Sequence, residues 1–160
     1  MQITYQPIGI IHSPFTDLRD MPIQPTSDAS APGTVEVYAE FAAGLKDLAG
    51  FSHIYLIYHL HEAQFSGLTV TPFLDSEPRG LFATRAPGRP NPIGLSLVKL
   101  ARVESNILHI ENLDVLNGTP LLDIKPYVAQ FEETADLRIG WLKRAKESIR
   151  NQTSDDRFTK

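Results

Sequence analysis

A chain of 160 residues, 42% hydrophobic and 21% charged, has the length of one domain and the composition of an ordinary globular protein. Its formal net charge of −4 argues against a general coat for nucleic acid, so any such contact must use a local basic patch. Zero cysteines exclude disulfides, thiolate zinc sites and thiol nucleophiles. The absence of a membrane-length apolar run and of a signal pattern in MQITYQPIGI favours the cytoplasm.

The predicted elements begin with a strand over Ile3–Ile11, closed by His12-Ser13-Pro14-Phe15. Residues 16–33 are a proline-punctuated loop, and Gly33–Phe41 alternates as a half-exposed strand. Ala42–Gly50 is a short helical turn. Phe51–His61 is aromatic and β-branched, which predicts a central strand buried on both faces. Further strands follow over Thr69–Phe73, Gly80–Thr84, Ile93–Val103, Ile107–Leu113 and Leu121–Val128, with Asn117-Gly118 a tight turn. From Thr134 to Asn151, apolar residues at Leu137, Trp141, Ala145 and Ile149 alternate with basic ones, predicting an amphipathic helix. Many short strands with Pro/Gly turns point to a mainly β protein, a small barrel with a C-terminal α-helix, and no dinucleotide fingerprint is present.

The most informative stretch is Arg79–Leu100, RGLFATRAPGRPNPIGLSLVKL. It carries Arg79, Arg85, Arg89 and Lys99 and no carboxylate, and three prolines and two glycines fall within Pro87 to Gly94. Proline fixes φ and removes a donor, so this is a stiff cationic loop between strands. Arg89 and Asn91 each precede a proline, which favours extended backbone and projects both side chains to one side. Arg offers a donor fork to a carboxylate or phosphate, and Asn a donor beside an acceptor. The bland alternative is a solvent loop stiffened by proline.

His53, His59 and His61 share a strand face, but His53 and His59 stand roughly 20 Å apart at the usual rise, a poor metal set. His53 reads as a core histidine satisfied by backbone, and His61 beside Glu62 as the better ligand-facing residue. The segment Asp114–Tyr127 is either a hairpin with Asp114 and Asp123 bonding backbone, or a loop gripping a ribose or amino group.

PIGIIHSPF at 7–15, PIQP at 22–25, GTVEVYAEFAAGLKDLAGFSHIYLIYHLH at 33–61, RGLFATRAPGRPNPIGLSLVKL at 79–100 and LDVLNGTPLLDIKPYV at 113–128 resemble the signature blocks of the TsaA-like family, also called TrmO or YaeB-like. The resemblance implies a small antiparallel β-barrel over residues 4–130, a helical extension over 131–151 and a flexible tail over 152–160. It implies binding of S-adenosylmethionine near a homodimer interface. It also implies methylation of the exocyclic nitrogen of N-threonylcarbamoyladenosine next to the anticodon of tRNA, with no metal and no membrane.

Carried over by position, the cofactor contacts are Ser13, Pro14, Phe15, His61, Glu62, Arg85, Leu95, Asp114, Val115, Leu116 and Asn117. The candidate catalytic residues are Arg89, Asn91, Asp114 and Tyr127, with His61 a further candidate for proton transfer. Asn117 stands where an Asp often precedes Gly-Thr-Pro in the family, so a backbone contact there survives and a carboxylate role does not. Two other functions compete: methyl transfer to a small molecule or protein, and a non-catalytic cofactor- or RNA-binding module.

Overall fold

The computed structural model describes residues 1–18, 31–72, 75–132 and 136–144. Six strands close into an antiparallel barrel in the order β1-β2-β7-β6-β3-β8. They are β1 (Gly9–His12), β2 (Gly33–Val37), β3 (His53–His59), β6 (Ile93–Glu104), β7 (Ile107–Glu111) and β8 (Thr119–Pro126). A ribbon of β4 (Thr69–Val70) and β5 (Arg79–Gly80) lies in the β3–β6 connection.

Alternation explains the barrel. On β6, Gly94, Ser96, Val98 and Leu100 point inward while Ile93, Leu95, Leu97 and Lys99 face out. Two irregularities reset this parity. Between Leu100 and Arg102 the register with β7 shifts, so Val103 rather than Arg102 pairs with buried Leu108. On β8 the register shifts beside Tyr58, so Leu121 and then Ile124 turn to the core. Alternation read without these bulges assigns the wrong face to the residues beyond each shift.

Because all neighbours are antiparallel, β1, β3 and β7 end where β2, β6 and β8 begin. The loops after β1, between β3 and β6, and between β7 and β8 therefore gather at one mouth. The opposite end is closed by a 3₁₀ segment at Ala39–Leu45, whose Leu45 joins the core beside Phe41 and Leu48.

Several predicted boundaries move. The first strand starts at Gly9, and β2 stops at Val37 because the chain turns into the 3₁₀ segment. Residues 81–83 form a 3₁₀ turn instead of continuing a strand. β3 is buried on one face only: Ile54, Leu56 and Tyr58 point in, while the outer face is half-covered. His53 is accordingly on the outer face, with Nδ1 2.9 Å from Ser52 Oγ, and is not a core residue.

The C-terminal helix over 134–151 is not continuous where described. A short helix, α1 (Ala129–Glu132), is followed by Asp136 at φ 60° and Gly140 at φ 56°, and a 3₁₀ turn spans Gly140–Arg144. Left-handed backbone at two positions interrupts an α-helix, and Leu137 is exposed rather than packed. Residues 133–135, 145–151 and the predicted tail lie outside the described residues, as does PIQP at 22–25.

Candidate active site

Most of the barrel interior is aliphatic. The described buried polar residues are Ser96 and Thr119, and both sit at the mouth formed by the loops. Tyr58, 6% exposed, joins them from β3. Its ring crosses Gly94 of β6, where a Cβ would collide with it; Gly94 is thus the residue that lets the Tyr58 hydroxyl reach Ser96.

Tyr58 Oη lies 2.9 Å from Ser96 Oγ, and Ser96 Oγ–H donates to Asp114 Oδ1 at 2.6 Å. Asp114 stands in the β7–β8 loop, half-buried. Burial pushes its carboxyl above the usual carboxylate range, opposed by the Ser96 hydrogen bond and by the Arg85 guanidinium. Burial, and then the Asp114 charge, hold the Tyr58 phenol up at about 12. A phenol so placed keeps its proton at neutral pH.

The β1–β2 and β7–β8 loops are tied to each other. Ser13 N–H donates to Asn117 Oδ1 at 3.1 Å, Asn117 N–H to Phe15 O at 2.8 Å, and Gly118 N–H to Ile11 O at 2.9 Å. Gly118 takes φ 80°, which suits glycine at that turn. Thr119 Oγ1–H donates to Leu116 O at 2.7 Å, leaving Thr119 Oγ1 to accept from His61 Nδ1 at 3.4 Å. His61 therefore presents Nε2 outward, 3.8 Å from Glu62 Oε1.

The cationic loop is anchored by its own small core of Val70, Leu81 and Ala86. Arg89 Nη1–H donates to Thr84 O at 3.0 Å and to Ala86 O at 3.3 Å, and its guanidinium lies 5.7 Å from the centre of the Phe82 ring. Part of the fork that the sequence offers to a ligand is therefore spent bracing the loop. Arg85 is exposed, and its charge reaches Asp114, Tyr58 and Tyr55. Asn91 is exposed, and its carbonyl accepts from Ile93 N–H at 2.8 Å. Trp141 Nε1–H donates to Ala83 O at 2.8 Å, and Arg79 lies 5.9 Å over the indole.

The fold thus brings Ser13, Pro14, Phe15, His61, Glu62, Asp114, Val115, Leu116 and Asn117 to one mouth, with Arg85 in electrostatic reach. Two predicted residues stand apart within a single chain. Leu95 is 50% exposed on the outer barrel face, opposite in direction to Ser96. Tyr127 stacks edge-on against Tyr55 and His53 past the far end of β8, roughly 26 Å from the mouth at the usual strand rise. Tyr58, Ser96 and Thr119 were not among the predicted site residues. Their signal was a hydroxyl at an inward position of an otherwise aliphatic strand. Among the described residues no cluster of His, Asp and Glu could hold a metal ion.

The family model for the tRNA-methyltransferase O N-terminal domain matches residues 10–133. The chain belongs to this family. It is 53% identical to a probable S-adenosyl-L-methionine-binding protein of Pyrococcus abyssi, over 99% of this chain and 86% of that protein. It is 36% identical to the tRNA (adenine(37)-N6)-methyltransferase of Escherichia coli, over 88% of this chain and 64% of that one. Among solved structures, the crystal structure of TrmO from Pseudomonas aeruginosa matches with a TM-score of 0.74 at 38% identity, over 88% of this chain and 63% of that chain. The chain therefore spans just under two thirds of these last two proteins, and the barrel seen here is the family's N-terminal domain.

Proposed function

We propose that this chain is an S-adenosylmethionine-dependent methyltransferase whose substrate is tRNA, acting on the exocyclic nitrogen of N-threonylcarbamoyladenosine beside the anticodon. The observation that carries the reading is the mouth of the barrel. There a partly buried carboxylate, an exposed arginine and a loop rich in backbone donors and acceptors converge in a chain whose relatives bear these names.

The residues suit the cofactor. Asp114 can accept from an ammonium or from ribose hydroxyls, Arg85 can pair with a carboxylate, and Phe15 offers an aromatic face to a purine. Bound there, S-adenosylmethionine supplies a methyl group activated by its sulfonium. The protein's task is to hold the acceptor nitrogen in line and keep water out, which needs no metal. Asp114 and His61 are the candidates to take the proton that the acceptor gives up, and the Thr119 contact at Nδ1 leaves His61 Nε2 free of that bond.

The exposed outer face of β6 with Ile93, Leu95 and Leu97, paired to Tyr55 and Ile57 of β3, suits a second copy of the chain. Such a dimer accounts for Leu95 and Tyr127 lying away from the mouth of their own chain.

Calorimetric titration with S-adenosylmethionine, followed by tritium transfer from labelled cofactor, tests the reading. Label should enter tRNA bearing the threonylcarbamoyl mark and not unmarked tRNA, and Arg89→Ala and Asn91→Ala should each lose transfer while remaining folded. Wild-type activity in both variants removes them from the site. A second reading, methylation of a small molecule or protein, draws on the net charge of −4. Label from a cell extract that survives RNase as a small species would favour it over tRNA.

A further inference from the structure

The hydrogens at the mouth can be counted. Ser96 has one hydroxyl hydrogen, and it goes to Asp114 Oδ1 at 2.6 Å. Ser96 Oγ can then only accept from Tyr58, whose buried phenol retains its proton. The three groups form a directional chain, Tyr58 O–H to Ser96 O–H to Asp114, running from the barrel interior to the loop. It crosses from β3 to β6 to the β7–β8 loop, so its geometry is set by the barrel and not by the loop alone. Gly94 is the gap through which it passes.

We propose that Tyr58 and Ser96 are positioning residues that pin one oxygen of the Asp114 carboxylate and present the rest of that carboxylate, ionised, to the cofactor. This rests on the cofactor reading above. A carboxylate on a loop can rotate about its side-chain torsions, and a short hydrogen bond from a strand removes that freedom before the ligand arrives. The same bond favours the charged form against burial, as does Arg85. The charged and titratable groups facing Asp114 are Tyr58 from β3 and Arg85 from the loop before β6. If Asp114 takes up a proton, it loses the negative charge that pairs with the ligand and accepts the Ser96 hydrogen bond more weakly.

The test must separate positioning from packing. Ser96→Ala strands the Tyr58 hydroxyl in the core, which by itself costs stability. The double variant Tyr58→Phe/Ser96→Ala leaves no unpaired hydroxyl in the core, and only Asp114 Oδ1 loses its donor, so it should melt above Ser96→Ala alone. Calorimetric titration with S-adenosylmethionine across pH 4.5–8 then reads the effect directly.

The proposal expects the double variant to bind about ten-fold more weakly at neutral pH. It also expects the acid limb of binding to move to higher pH, because Asp114 has lost a donor to its charged form. In an Asp114→Asn background the two hydroxyl substitutions should have no further effect on that limb. A double variant with wild-type affinity and an unmoved acid limb overturns the proposal, while a loss of binding in Asp114→Asn still upholds the cofactor reading. If the wild-type protein fails to bind the cofactor, the reading and this inference fall together.

Discussion

Asp114 sits between opposing influences. Burial favours its neutral form, while Ser96 and Arg85 favour the anion, and burial is the larger effect. A carboxyl whose folded pKa lies above its unfolded value, about 3.9, adds stability at pH below that value and loses it as pH rises through the folded value. At neutral pH the ionised group therefore costs the ligand-free protein stability. Asp114→Asn keeps an oxygen to accept from Ser96 and removes the charge. It is expected to raise the melting temperature of the free protein at pH 7, with little difference near pH 4. Thermal denaturation at the two pH values checks this, and a neutral-pH loss would show that the anion is net stabilising. The same substitution should weaken cofactor binding, so stability and function pull apart at this residue.

At the scale of elements, the cationic loop is rigid because several unrelated devices restrain it. Prolines limit its backbone, Arg89 braces its carbonyls, the Val70–Leu81–Ala86 cluster seats it, and Trp141 reaches back from the C-terminal segment to Ala83. Trp141→Phe retains a ring under Arg79 and deletes the hydrogen bond. A loss of about 0.5–1.5 kcal/mol is expected, together with faster amide exchange across residues 79–89. Unchanged exchange there would mean that the prolines and the small core suffice. The outlines of this element were legible in the sequence, because three X-Pro steps dictate a stiff loop wherever they occur. The use of Arg89 was not. A guanidinium serves a ligand or a carbonyl equally well, and only the fold of the loop brings Thr84 O and Ala86 O within reach.

For the whole molecule, one end of the barrel is plugged by apolar side chains and the other carries the buried polar groups. The outer face of β6 remains, with Ile93, Leu95 and Leu97 at 42%, 50% and 38% exposure. Leu95→Glu is expected to convert a dimer to a monomer in analytical ultracentrifugation without lowering the melting temperature of the isolated barrel. A wild-type chain that sediments as a monomer at tens of micromolar would remove the dimer from the proposal.

What the amino-acid order determined by itself was local or carried by long motifs. Period-two alternation announced strands, the proline run announced a stiff cationic loop, and the long blocks at 79–100 and 113–128 announced the family. Strand ends, the bulges beside Leu100 and Tyr58, and the face of His53 depended on which strands became neighbours. So did the Tyr58–Ser96–Asp114 chain. Its members are 38 and 18 residues apart in sequence. A hydrogen bond acts over about 3 Å, so no local pattern can encode a partner that only barrel closure brings within that distance.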